Sequence, residues 1–128
     1  MTAESRRTEA AFDALVETLT HAGGEIDELL GRVRATRDAV ASGVVLSEFV
    51  AAEDRPLIIT KMTELVDRMS DAAAEVRRAE AHQLRAEGLS HENIAQLFGV
   101  TRQRAAALLA AAPAPQQRTA KRPRRPNS

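Results

Sequence analysis

The chain has 128 residues, no cysteine and three aromatic side chains, all of them phenylalanine. A chain of this length allows one domain, with at most a small appendage. The lack of cysteine excludes disulfide bonds, thiolate metal ligands and cysteine nucleophiles. So few aromatic rings leave almost no stacking surface for single-stranded nucleic acid or RNA.

The formal net charge of zero hides a division along the chain. Residues 1–92 contain 11 basic and 18 acidic side chains, a net charge of −7. Residues 93–128 contain seven basic side chains and no acidic one, a net charge of +7. A basic end beside an acidic body is typical of a protein that presents that end to a polyanion.

Several function classes find no support in the sequence. No apolar run approaches membrane-spanning length, and residues 1–5 lack the apolar core of a signal peptide, so we expect a cytoplasmic protein that contacts no membrane. His21, His82 and His91 have no ligand-like spacing, and no glycine-rich phosphate loop is present. We therefore expect no metal, no cofactor and no enzymatic activity.

The first half of the chain predicts two helices and a short element. Residues 5–21 have an amphipathic pattern that Gly23-Gly24 is expected to end. A second helix is predicted over residues 25–41, up to Ser42-Gly43. Residues 44–52 are short enough to be a strand or a helix, and their apolar spacing favours one or two helical turns.

A long helix is predicted from Pro56 to about Glu87, where Gly88 ends it. At about 1.5 Å per residue it spans roughly 45 Å, too far for the shorter helices alone to cover. Either the preceding elements fold back over it, or two copies of the chain pair along it. We expect a homodimer, formed through side chains at alternating four- and three-residue steps: Ile58, Met62, Leu65, Met69, Ala72 and Val76.

Residues 90–109 predict two short helices around one tight turn, a helix-turn-helix. Ser90 is a suitable N-cap for the first helix, and Leu89 and Ile94 have the spacing of a hydrophobic staple. Gly99 follows the last apolar residue, where a left-handed backbone is needed, and Thr101 caps the second helix. Both helices therefore have their own start and stop signals.

The second helix has the composition of a helix that enters a DNA major groove. A helical wheel places its inner face at Ala105, Leu108 and Leu109. Hydrogen-bond donors lie near its N-terminus, small residues follow, and no acid is present, as major-groove contact requires. The outward side chains are Gln103, Ala106, Ala107 and Ala110, with Arg102 and Arg104 on the flanks.

The segment from Ile94 to Arg104 resembles the DNA-binding helix-turn-helix of region 4 in sigma-70-type factors. The resemblance covers residues 84–110, and nothing before residue 80 resembles a sigma factor. It implies that base contacts come from Arg102, Gln103, Ala106 and Ala107. Because the last two are alanine where the family has basic and amide side chains, the family's promoter specificity does not carry over.

Residues 113–128 contain four prolines and no large apolar side chain, which predicts a disordered tail. The tail either contacts DNA phosphates or only keeps the protein soluble, and we expect phosphate contact. The basic side chains are Arg118, Lys121, Arg122, Arg124 and Arg125. Further phosphate contacts are expected at the two helix starts, from Ser90, His91, Thr101 and Arg104.

Together these patterns predict an all-α protein in three parts: a helical, coiled-coil-like dimerisation body over residues 1–79, a three-helix DNA-binding head over 80–112 and the basic tail. The expected function is sequence-preferring binding of double-stranded DNA, as a small transcriptional regulator or nucleoid-associated protein. Two alternatives remain open: a helical adaptor that binds RNA polymerase or another protein through the head, and a ligand-gated repressor. A third alternative, without a binding function, is a helical hairpin that touches no DNA.

Overall fold

The structure is a computed structural model that describes residues 1–53 and 57–110. Within those ranges it contains helices and connecting turns but no strand, which confirms the predicted all-α class. The five helices are α1 (Ala3–Ala41), α2 (Leu46–Ala51), α3 (Ile58–Ala86), α4 (His91–Phe98) and α5 (Arg102–Ala110). The predicted tail at 113–128 and the helix-start signal at Pro56 lie outside the described residues.

Helix α1 is one continuous helix of 39 residues, so the predicted break at Gly23-Gly24 is wrong. A glycine inside a helix costs about 1 kcal/mol relative to alanine, which is small beside the burial of apolar side chains. Ala22 and Leu29, on either side of the glycines, are both buried. Packing on both sides therefore keeps the helix intact across a locally unfavourable pair.

The other boundaries follow local signals in the sequence. Residues 46–51 form a helix, which excludes the strand alternative. The chain leaves α1 through Gly43 and α3 through Gly88, both with positive φ (87° and 104°). Glycine adopts this backbone without steric cost, and it ends both helices close to the predicted positions.

The chain divides into two compact units, and helices α1 and α3 contribute residues to both. Unit 1 consists of Met1–Phe12 and Glu75–Ser128, and unit 2 of Asp13–Ala74. The sequence patterns did not indicate that the first twelve residues belong with the C-terminal unit. None of the described helices is both long and apolar enough to cross a membrane.

In unit 2, α1 and α3 run antiparallel around a small apolar core. Glu25 on α1 pairs with Arg68 and with Lys61 on α3, the latter at 3.8 Å between Nζ and Oε1. One heptad further along α1, Arg32 pairs with Glu53, which precedes α3, at 3.5 Å between Nη2 and Oε2. Residues later in α1 therefore pair with residues earlier in the sequence around α3, as expected of antiparallel helices.

The core of unit 2 uses part of the surface that the sequence assigned to a second copy. Leu65 is buried against Ala22 and Leu29, and Ile58 and Met69 pack on the same cluster. Half of the predicted dimerisation seam is thus covered by α1 of the same chain. For Ile58, Leu65 and Met69 the covering helix is α1 of the same chain, which is the fold-back alternative that the sequence left open.

In unit 1, the end of α3 packs against α4 and α5, and the start of α1 contacts α3. The core cluster consists of Ala81, Ile94, Ala95, Ala105 and Leu108, with Leu84, Leu89, Phe98 and Leu109 packed on it. Thr8 Oγ1 donates to the carbonyl oxygen of Ala79 at 3.4 Å, and Gln83 Nε2 donates to Ser5 Oγ at 3.1 Å. These bonds hold the N-terminal turns of α1 on α3.

Candidate nucleic-acid interface

Helix α4 begins at a complete N-cap. Ser90 has an extended backbone, and its Oγ accepts the backbone N–H of Asn93 at 3.1 Å. The same hydroxyl donates to Asn93 Oδ1 at 2.7 Å. Leu89, immediately before the cap, packs on the cluster that contains Ile94, as expected of a hydrophobic staple. The cap and the staple together fix where α4 starts.

The connection between α4 and α5 is three residues long. Gly99 has φ 67° and ψ 34°, and its N–H donates to the carbonyl oxygen of Gln96 at 3.2 Å. Val100 N–H donates to the carbonyl oxygen of Ala95 at 3.0 Å, which satisfies another acceptor at the end of α4. Thr101 Oγ1 then accepts the N–H of Arg104 at 3.0 Å and caps α5. Gly99 and Thr101 thus have the left-handed backbone and the capping bond that the sequence predicted for them.

Burial fixes which side of α5 faces outward. Ala105 is fully buried and Leu108 is buried, both in the cluster with Ile94 and Ala81. The small side chains of Ala81, Ala95 and Ala105 allow the three helices of this cluster to approach closely. Because Ala105 and Leu108 point inward, the opposite side of α5 is held toward solvent.

The outward side of α5 contains most of the predicted base-contact residues. Arg102, Gln103 and Ala107 are exposed, whereas Ala106 is half-buried at the edge of the face. Arg102 supplies up to five N–H donors, and the Gln103 amide supplies both donors and an acceptor. No acidic residue lies on α5, so nothing on this helix repels a phosphate backbone.

A cleft of about 290 Å³ lies where α3 ends and α4 and α5 begin. It brings together three of the predicted DNA-contact residues, Ser90, His91 and Arg102, with Glu92 and Arg85. Arg85 was not among the predicted contact residues; its Nη1 donates to the carbonyl oxygen of Leu89 at 2.9 Å. The signal available for it in the sequence was a basic residue in the last turn of α3, five residues before the Ser90 cap.

The remaining predicted contacts are divided between this surface and the undescribed tail. Thr101 and Arg104 are exposed and joined by the α5 cap. Arg118, Lys121, Arg122, Arg124 and Arg125 all lie outside the described residues.

A second, open groove of about 820 Å³ lies in unit 2. One of the carboxylates that line it, Glu25, is paired with Arg68 and Lys61, and His21 Nε2 lies 3.4 Å from Glu25 Oε1. The apolar side chains that line it are Val16, Ala22 and Leu65, and the other side chains of its lining are polar or charged. The groove thus resembles the flank of an ion-paired helix pair more than an apolar ligand pocket with convergent polar groups.

Comparison of the chain with protein-family models, with curated proteins and with solved structures found no match.

Proposed function

We propose that this protein binds double-stranded DNA through a helix-turn-helix formed by α4 and α5, with α5 in the major groove. The observation that carries the proposal is the position of Arg102 and Gln103. Both are exposed in the first turn of an acid-free helix whose other side is anchored by buried Ala105. Recognition helices contact bases with the residues of their N-terminal turns, which is where these two side chains lie.

The chemistry of the exposed side chains suits base recognition. The Arg102 guanidinium matches the O6 and N7 acceptors of guanine, and the Gln103 amide matches N6 and N7 of adenine. Ala106 and Ala107 add no hydrogen bonds, but their methyl groups suit contact with the C5-methyl group of thymine. Two polar base contacts on one helix predict a preference among sequences rather than stringent selection.

Phosphate contacts would position the helix on the duplex. The N-terminus of α4 presents backbone N–H groups and a positive dipole end beside Ser90 and His91. Arg85 and Arg102 line the same cleft, and Thr101 and Arg104 stand at the start of α5. The basic residues between Arg118 and Arg125 would extend this contact along the backbone. A small transcriptional regulator or a nucleoid-associated protein in the cytoplasm fits this arrangement.

A second candidate function is an adaptor that binds RNA polymerase or another protein through unit 1. The observation in its favour is the exposure of apolar side chains beside α5: Leu97 is 65% exposed and Val100 is 37% exposed. Single exposed apolar residues are common on protein surfaces, so this observation weighs less than the polar face of α5. A Leu97→Ser variant that binds DNA normally but loses a polymerase subunit would favour the adaptor.

The proposal is tested by selecting duplexes from random DNA with the full chain and measuring binding by fluorescence anisotropy. The double variant Arg102→Ala/Gln103→Ala should lose about 1–3 kcal/mol per base contact on the selected duplex and much less on random DNA. Arg37→Ala, which removes an exposed arginine of unit 2 outside the proposed DNA surface, is the control for loss of charge. Equal affinities of wild type and double variant for the selected duplex, or no binding at low salt, would refute the proposal.

A further inference from the structure

We propose that unit 2 pairs with a second copy of this chain through an apolar stripe on helices α1 and α3. The stripe consists of Val16, Leu19, Ile26, Leu30 and Val33 on α1 and Ile59, Met62 and Val66 on α3. All eight side chains are between 42% and 71% exposed in the single chain. This surface shares only Met62 with the seam that the sequence indicated, which α1 partly covers.

On α1 the stripe follows a coiled-coil repeat. The repeat includes Gly23, which has no side chain: positions 16, 19, 23, 26, 30 and 33 are separated alternately by three and four residues. This period of 3.5 keeps one side of a helix facing a partner helix over several turns. The buried residues Ala22 and Leu29 stand one residue before Gly23 and Leu30, so the stripe lies beside the buried face rather than on it.

On α3, as on α1, the stripe lies beside the face that packs into the unit 2 core. Ile59 and Val66 each follow by one residue a side chain of the unit 2 core, Ile58 and Leu65 respectively. The stripe is therefore rotated from the core face in the same sense on both helices. Because α1 and α3 run antiparallel in unit 2, equal rotations bring the two halves to the same side of the helix pair. Together they form one continuous apolar surface.

The size of this surface is that of a protein interface. The eight side chains expose on the order of 700 Å², whereas the largest apolar patch on a typical monomer is about 300–600 Å² and each partner in a standard interface buries about 800 Å². Two antiparallel helices that share one apolar side are half of a four-helix bundle. A second copy supplies the other half with the same surface, as a two-fold dimer requires.

The charges at the edge of the stripe also fit two-fold pairing. Asp27 and Arg34 are exposed, stand one heptad apart and follow directly after stripe residues Ile26 and Val33. A two-fold axis midway between them would bring Asp27 of one copy to Arg34 of the other, twice per dimer. A partner of unrelated sequence would not be expected to match this pattern.

The oligomeric state of the full chain tests the proposal by sedimentation equilibrium without DNA. The wild type should sediment at twice the mass of one chain at micromolar concentration. Leu30→Glu and Val66→Glu should sediment as monomers that retain helical circular dichroism. Ala35→Glu, on an exposed position of α1 away from the stripe, should remain dimeric. A monomeric wild type, or a dimer that both stripe variants leave intact, would overturn the proposal.

A cross-linking experiment covers the case in which the charged variants fail to fold. The chain has no native cysteine, so a single introduced thiol cross-links only to another copy. With a short bismaleimide, Leu30→Cys should give a covalent dimer, and Ala35→Cys should not. Equal yields from both positions, or none from Leu30→Cys, would count against the stripe. The measurement needs no DNA, so its outcome is independent of whether α5 binds a duplex.

Discussion

The guanidinium carbon of Arg77 lies 4.1 Å from the centroid of the Phe98 ring, which joins the last turns of α3 to the end of α4. This distance is well within cation–π range. Phe98 is half-buried on the core of unit 1 and directly precedes the left-handed Gly99. The contact therefore supports the position at which the chain turns into α5, and through it the exposed residues Arg102 and Gln103.

We expect removal of this contact to destabilise unit 1 by a measurable amount. A cation–π contact at a partly exposed site contributes about 0.5–1 kcal/mol. Arg77→Gln and Phe98→Leu, alone and combined, form a double-mutant cycle in urea unfolding followed by circular dichroism. The cycle should give a coupling free energy of about 0.5–1 kcal/mol. Strictly additive losses would show that the stacking itself contributes nothing.

The basic tail is expected to control the salt dependence of DNA binding. A chain ending at Ala112 lacks the five basic residues from Arg118 to Arg125. Each lost phosphate contact should lower the slope of log affinity against log salt by about 0.9. Anisotropy titrations between low and physiological salt measure that slope. A full-length chain with residues 113–128 in scrambled order is the matched control, because it keeps the charge and should keep the slope. A truncated chain with the wild-type slope would show that the tail only aids solubility.

The caps of α4 and α5 are expected to stabilise unit 1 independently of any DNA contact. Ser90→Ala and Thr101→Ala each remove an oxygen that accepts a backbone N–H, at 3.1 and 3.0 Å. Such substitutions cost about 1 kcal/mol, whereas Ser90→Gly should cost a few tenths because glycine is tolerated at an N-cap. Urea unfolding gives both values. An alanine variant as stable as the wild type would contradict the assigned cap.

Comparison of these helices with the rest of the chain shows what the sequence could predict. The boundaries of α4 and α5 were predictable because Ser90, Gly99 and Thr101 act locally, through hydrogen bonds and a positive φ within a few residues. The place of Arg85 in the candidate DNA surface could not be predicted, because its cleft forms only where the ends of three helices meet. Likewise the spacing of Leu65 showed an apolar face, but whether α1 or a second copy covers it depends on tertiary packing.

The glycines of α1 provide the opposite test, since replacing them should stabilise the protein. Gly24 and Gly31 are exposed in the interior of a continuous helix, and a Cβ built on either one meets no atom within 4 Å. Alanine at each should therefore raise the free energy of unfolding by about 0.5–1 kcal/mol, because glycine loses more backbone entropy on folding.

Gly99→Ala is the control of opposite sign, because its φ of 67° disfavours any residue with a Cβ although the surrounding space is open. Urea unfolding of the three variants measures the contrast. If Gly24→Ala and Gly31→Ala both destabilised the chain, α1 would not be continuous across them. In that case the heptad repeat of the apolar stripe, which crosses the same glycines, would lose its register.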